Sequence, residues 1–151
     1  MDAEHFDADE WLRSFWPPEW ELSEPVAPYG EGYKRRNPVV EETFELASLI
    51  MDYCEILERK NRVFADQILR SGTSVGSQTR EAQGAESLAD FFHKMKIGMK
   101  ELEETDFRLD LCHLKAHYPH DVALVERTKR LFPLFHSILA TTRKRINDKK
   151  K

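Results

Sequence analysis

Wherever apolar residues are dense in this chain they recur at three- and four-residue steps, and nowhere do they alternate at the two-residue step of a strand. That spacing puts them on one side of α-helices, so the chain is expected to be all-α. The first body helix has a clear start. Asn37 suits the N-cap, Pro38 the first helical position, and Glu41 and Glu42 the first turn. Val40, Phe44, Ala47, Met51 and Cys54 then form a stripe that Val39, Leu46, Ile50 and Leu57 widen. The helix is predicted over about residues 38 to 60.

Asn61 and Arg62 make a short connection, and a second helix begins near Val63 with Phe64, Ile68 and Leu69. The run Arg70-Ser71-Gly72-Thr73-Ser74-Val75-Gly76-Ser77 follows, where each glycine costs a helix up to about 1 kcal/mol. Two readings stand: a loop between two short helices, or a continuous helix whose small-residue face lets a neighbour approach. The spacing of Ile68, Val75, Thr79 and Ala82 favours the second, with Gly84 marking the end. Ser87 to Asp90 resembles a capping box and opens a third helix predicted over about 88 to 116. After the turn at Tyr118-Pro119-His120-Asp121, Asp121 can cap a fourth helix. Pro133 sits inside that helix and predicts a kink, because it lacks an N–H and crowds the carbonyl of Lys129. Four helices with short connections pack most simply as an antiparallel up-down-up-down four-helix bundle. It is expected over 37–147, with a frayed basic tail at 148–151.

Residues 1–36 differ in kind. They hold four prolines, two glycines and all three tryptophans. Asp7 to Trp16 can form a short amphipathic helix, with Trp11 and Phe15 on one side. An acidic, aromatic, proline-rich stretch is expected to dock, and Trp11, Phe15, Trp16 and Trp20 are its candidate anchors. Charge divides the chain at the same place. Residues 1–33 hold nine acidic residues against Arg13 alone, a net −8, which leaves +4 for the rest of a chain totalling −4. This asymmetry points to an acidic arm on a basic body, or to polyanion contact.

Other classes find little support. Cys54 and Cys112 provide no disulfide framework, and a reducing cytosol is the simpler setting. The N-terminus is acidic, and no apolar run reaches the roughly 18 residues that span a bilayer. A cytoplasmic protein with no membrane partner is expected. His113 and His117 are weak metal candidates at i, i+4, with no third ligand fixed by local spacing. Glu101, Glu103, Glu104 and Asp106 alternate with Lys100 and Arg108, as a solvated, ion-paired helix surface would. Gly72 to Gly76 lacks the lysine of a phosphate loop and follows no strand. Ser71, Ser74 and Ser77 have no placed histidine or acid. No catalytic set, metal or cofactor is expected, and the chain reads as a non-enzyme. Its basic residues are a stronger lead. Arg59, Lys60, Arg62, Arg70 and Arg80 fall on the first two helices and their turn, as candidate nucleic-acid contacts. Lys94, Lys96, Lys100, Arg127, Lys129, Arg130, Arg143, Lys144 and Arg145 add others.

One long stretch carries a resemblance. It runs Gln67-Ile68-Leu69-Arg70-Ser71-Gly72-Thr73-Ser74-Val75-Gly76, then Arg80-Glu81-Ala82-Gln83-Gly84-Ala85-Glu86-Ser87, then from Asp90 to Thr105. With the opening Asn37-Pro38-Val39-Val40-Glu41, it resembles a bacterial four-helix bundle family. That family was first noticed as reading frames inside intervening sequences of large-subunit ribosomal RNA genes. The resemblance implies antiparallel bundles assembled as homopentamer rings, and a suspected role with RNA or DNA. A similar bundle serves diversity-generating retroelements as an accessory protein that binds nucleic acid and a reverse transcriptase. Arg70, Ser71, Gly72, Thr73, Ser74, Gly76, Arg80, Glu81 and Glu86 match the family pattern, which implies packing, subunit contact or interface polar networks. Residues 1–36 and Pro133 depart from it. Two functions are therefore expected to compete. One is a non-enzymatic oligomeric scaffold associated with RNA or DNA. The alternative is a protein–protein adaptor or structural ring that uses the tryptophan-rich arm.

Overall fold

The computed structural model describes residues 7–10 and 37–149. These residues contain four long helices and no strand. They are α1 (Pro38–Glu58), α2 (Arg62–Ala82), α3 (Leu88–His113) and α4 (Val122–Asp148), and Ala8 to Glu10 add one helical turn. The all-α expectation holds. Each long helix opens on a side-chain cap: Asn37, Asn61, Ser87 and Asp121 accept from the backbone N–H three residues on. Each cap satisfies one of the donors a first turn leaves unpaired. Ser87 is only partly a capping box, because the Asp90 carboxylate accepts from the N–H of Glu86 rather than of Ser87.

α2 is continuous through the glycine-containing stretch. The hydroxyls there bond back along the helix, Thr73 to the Leu69 carbonyl at 2.7 Å and Thr79 to that of Val75 at 2.8 Å. The small-residue face does what the sequence suggests. A Cβ on Gly76 would lie 3.1 Å from the Thr43 carbonyl oxygen, and one on Gly72 2.8 Å from the Ile50 side chain. α2 ends at Ala82 in a right-handed turn, so Gly84 does not act as a left-handed cap. Pro133 lies within α4 and does not end it.

The first stripe read from α1 needs correction. The residues that face the core are Val39, Thr43, Leu46, Ile50, Tyr53, Cys54 and Leu57, whereas Phe44 and Met51 are 66% and 54% exposed. The core line includes a threonine, whose hydroxyl donates to the Val39 carbonyl at 2.7 Å. A polar side chain satisfied within its own helix can be buried at little cost.

The helices close into a cycle, with α1 on α2, α2 on α3, α3 on α4 and α4 on α1. Along each neighbouring pair, residue numbers rise on one helix as they fall on the other. Thr43 meets Gly76 and Ile50 meets Gly72. Ser71 meets Thr105, while Gln78 and Phe135 both meet Gly98. Between α1 and α4, the Tyr53 hydroxyl donates to the Pro119 carbonyl at 2.9 Å, and Arg127 pairs with Glu42 and Glu45. The C-terminal turns of α4 extend past the start of α1. The turn at Asp7–Glu10 docks on this overhang. Asp7 caps it by accepting from the N–H groups of Asp9 and Glu10. Ala8 is buried, and Asp9 pairs with Arg145 at 2.9 Å. Arg127 and Arg145 lie five helical turns apart on one face of α4. Asp9 thus stands to Arg145 as the α1 glutamates stand to Arg127.

Candidate functional site

A groove of about 460 Å³ runs between α1 and α2 on the outward side of the bundle. Its α1 wall is Val40, Glu41, Phe44 and Ala47, and its α2 wall is Thr73, Gly76, Ser77 and Arg80. The close approach at Gly76 brings the two backbones together and makes the floor. The exposed Phe44 and Met51 continue one apolar stripe along α1. Several positions of the family-like motif meet here: Thr73, Gly76 and Arg80 line the groove. Ser71 and Gly72 face the core instead, and Arg70 is exposed. Ser77 donates to Glu81 at 3.4 Å on the outer surface. Glu86 supplies the N–H that Asp90 accepts. Trp11, Phe15, Trp16 and Trp20 lie outside the described residues.

The histidines do not converge as their spacing suggested. α3 ends at His113, so His117 leaves its helical face. The His113 ring stacks on that of His120, with centroids 4.7 Å apart, while His117 meets the Tyr118 ring edge-on. Among the described residues no three His, Cys, Asp or Glu side chains gather as a metal site would need.

The two thiols are neighbours in the core, apart from the raised carboxyls and from the groove. Cys54 and Cys112 are both buried, and burial first, then the neighbouring Cys112 and Asp66, push the Cys54 thiol up to about 12. Burial raises Cys112 as well, against a hydrogen bond from Tyr53. A thiol held protonated is a poor nucleophile. Glu101 is raised by burial and by Glu104. Asp106 is raised by burial and by Asp110, against the pull of Lys129, and its Oδ1 is buried without a hydrogen bond. These carboxyls sit on a helix flank rather than in the groove. Ser71 donates to the Gln67 carbonyl at 3.2 Å, as a packing hydroxyl does.

The basic residues divide into two sets. Lys94, Arg127, Lys129 and Arg145 pair with Asp90, with Glu42 and Glu45, with Asp110 and with Asp9, and Arg62 pairs with Glu58. The grouping of Arg59, Lys60, Arg62, Arg70 and Arg80 does not form one cluster. Arg62 and Arg80 stand at opposite ends of α2, about 27 Å apart at 1.5 Å per residue. Sequence reasoning missed a different grouping, at the end of the bundle where α3 begins. Its signal was visible: no acid occurs from residue 91 to 100, nor from 127 to 147.

The fold accords with what the chain is similar to. The model of the 23S rRNA-intervening sequence protein family matches residues 35–126. The chain belongs to that family. A crystal structure of a protein of unknown function from the S23 ribosomal protein family of Bacteroides thetaiotaomicron superposes with a TM-score of 0.63. It is 32% identical, and the alignment covers 67% of this chain and 97% of that one. No curated protein compared with the chain matches it. The intervening-sequence family match takes in α1, α2, α3 and the first turn of α4, and so the whole groove. The docked turn at Asp7–Glu10 and the acid-free part of α4 lie outside it. Among the described residues no helix is long and apolar enough to cross a membrane.

Proposed function

We propose that this protein is a non-enzymatic scaffold, an antiparallel up-down-up-down four-helix bundle that assembles with copies of itself through the outward face of α1 and α2. The observation that carries this reading is the apolar stripe of Val40, Phe44, Ala47 and Met51 beside a glycine-floored groove. Phe44 is two-thirds exposed although it lies between core-facing neighbours on the same helix. Contiguous exposed apolar surface of this kind marks an interaction site. A homopentameric ring is the assembly that the family resemblance suggests. The opposed residue numbering along each helix pair supports the up-and-down topology. Buried thiols held protonated, and hydroxyls and raised carboxyls set apart from them, support the reading of a chain without an active site.

Sedimentation velocity over a range of protein concentrations tests the proposal. The wild-type chain is expected to sediment as one discrete oligomer. Phe44→Glu, which puts a charge into the face without touching the core, is expected to sediment as a monomer with unchanged helicity. A wild-type monomer at every concentration, or an oligomer indifferent to Phe44→Glu, overturns it.

The adaptor alternative rests on tryptophans outside the described residues. What the described turn adds is that Asp7–Glu10 sits on the chain's own α4 through Asp9 and Arg145. That contact favours an arm that serves its own bundle.

A further inference from the structure

The outward face of α3 and α4 lies across the bundle from the groove, and its chemistry is different. Arg143 on α4 stands over the ring of Phe92 on α3 at 5.4 Å, which fixes where the two helices meet. Lys96 and Lys100 follow Phe92 by one and two turns along α3. Lys144 adjoins Arg143, and all four cations are exposed. None of the four pairs with an acid. Residues 91–100 and 127–147 contain no Asp or Glu, and the nearest acids, Glu101 and Glu103 beside Lys100 and Asp148 four residues after Lys144, form no ion pair with them. His93 and His136 are exposed in the same two stretches and add no negative charge.

We propose that Lys96, Lys100, Arg143 and Lys144 form a contact surface for the phosphate backbone of a nucleic acid. Four cations without acidic partners keep their full charge for an external anion, whereas Lys94, Arg127, Lys129 and Arg145 are already neutralised. The partner is a polyanion in water rather than an anionic membrane. A membrane-binding face flanks its basic residues with large apolar side chains that enter the bilayer. Of the exposed large apolar residues of the described chain, only Phe107 shares the α3 face of Lys96 and Lys100, two turns beyond Lys100, while Phe44, Met51, Ile56, Val63, Leu114 and Val122 lie elsewhere, so one ring rather than an apolar border adjoins the cations. The acidic residues near the N-terminus do not cancel the patch where they are described. The Asp9–Arg145 pair holds the Asp7–Glu10 turn on the α1-facing side of α4, and Arg143 lies two residues, about 200°, round the helix from Arg145. This surface does not depend on self-association, because the proposed assembly face is on α1 and α2.

The test is a fluorescence-anisotropy titration of the full chain with labelled duplex RNA and duplex DNA at several salt concentrations. Three further proteins accompany it: Lys96→Gln/Arg143→Gln, the control Lys60→Gln/Arg70→Gln, and Phe44→Glu. Binding is expected to fall as salt rises. The log–log slope should lose about one unit for each phosphate-contacting cation removed, so about two in the patch variant and none in the control. The exposed positions should leave helicity unchanged by circular dichroism, so lost binding reports the surface. Binding indifferent to the patch variant but lost in the control overturns the placement. Absence of binding to either duplex, or binding to phosphatidylserine vesicles alone, overturns the proposal. The Phe44→Glu protein separates the two readings, because it loses assembly and keeps an intact patch.

Discussion

The Thr105 hydroxyl of α3 lies 2.9 Å from that of Ser71 on α2, and both residues are sealed from solvent. Each also has a fallback acceptor in its own helix, Glu101 carbonyl for Thr105 at 2.8 Å and Gln67 carbonyl for Ser71 at 3.2 Å. Neither hydroxyl is therefore orphaned when the other is removed. Thr105→Val keeps the shape and deletes the bond across the helices, and it should lower unfolding stability by about 1 kcal/mol. Ser71→Ala should cost a similar amount, and the double variant should cost less than the two together by about 0.5 kcal/mol or more. Urea unfolding of the four proteins measures this, and strict additivity would show that the pair is not coupled.

Two glycines on neighbouring helices should respond oppositely to the same substitution. At Gly72 a new Cβ would meet the fully buried Ile50 at 2.8 Å, closer than carbon atoms approach. At Gly98 it would meet Phe135 at 3.3 Å and Gln78 at 3.5 Å. Both changes gain about 1 kcal/mol of helix propensity, but overpacking a core costs about 1–3 kcal/mol. Gly72→Ala is expected to lower the thermal midpoint, and Gly98→Ala to leave it level or raise it. The reverse order in a calorimetric scan would mean that α1 and α2 are free to separate.

The same residues explain what was legible in the sequence. The caps at Asn37, Ser87 and Asp121 act through neighbours three residues away, so they could be read directly. The phase of the α1 stripe could be read only in part, with Val39, Leu46, Ile50, Cys54 and Leu57 buried as expected. Counting apolar residues selects Phe44 and Met51, while the core takes Thr43 because its hydroxyl bonds to the Val39 carbonyl. The His113–His117 pairing failed because α3 stops at His113. The Asp9–Arg145 contact joins positions 136 residues apart, beyond any local pattern. The Lys96–Arg143 surface had a sequence signal in its missing acids, but choosing among the basic residues required knowing which ones Glu42, Glu45, Asp110 and Asp9 neutralise.

Buried thiols give the protein a definite response to alkali. Cys54 is held up to about 12 by burial, against an ordinary 9.0. Below pH 9 the thiol is neutral in both folded and unfolded chains, and its burial costs nothing in ionisation. Above that pH the unfolded chain ionises first and binds fewer protons, so stability falls as pH rises from about 9 toward 12. Burial moves Cys112 and Tyr53 in the same direction and adds to the decline. The urea midpoint should therefore drop between pH 9 and 10.5. Cys54→Ser, which does not titrate there, should reduce the slope. An identical slope in that variant would assign the whole effect to the other groups.

Pro133 costs α4 a hydrogen bond without supplying packing in return. It lies inside a helix that continues to Asp148, and it is exposed. It has no N–H to offer the carbonyl of Lys129, and its ring crowds that carbonyl, a combination that costs about 3 kcal/mol in a helix interior. Alanine restores the donor and has the best helix propensity. It also frees the unfolded chain, which takes back about 0.4–1 kcal/mol. The net expectation for Pro133→Ala is a gain of about 2 kcal/mol, read from the urea midpoint. Amide exchange in α4 should slow around residue 133. A loss of stability instead would mean that a bend at the proline is needed to lay the second half of α4 against α3, with Arg143 over Phe92.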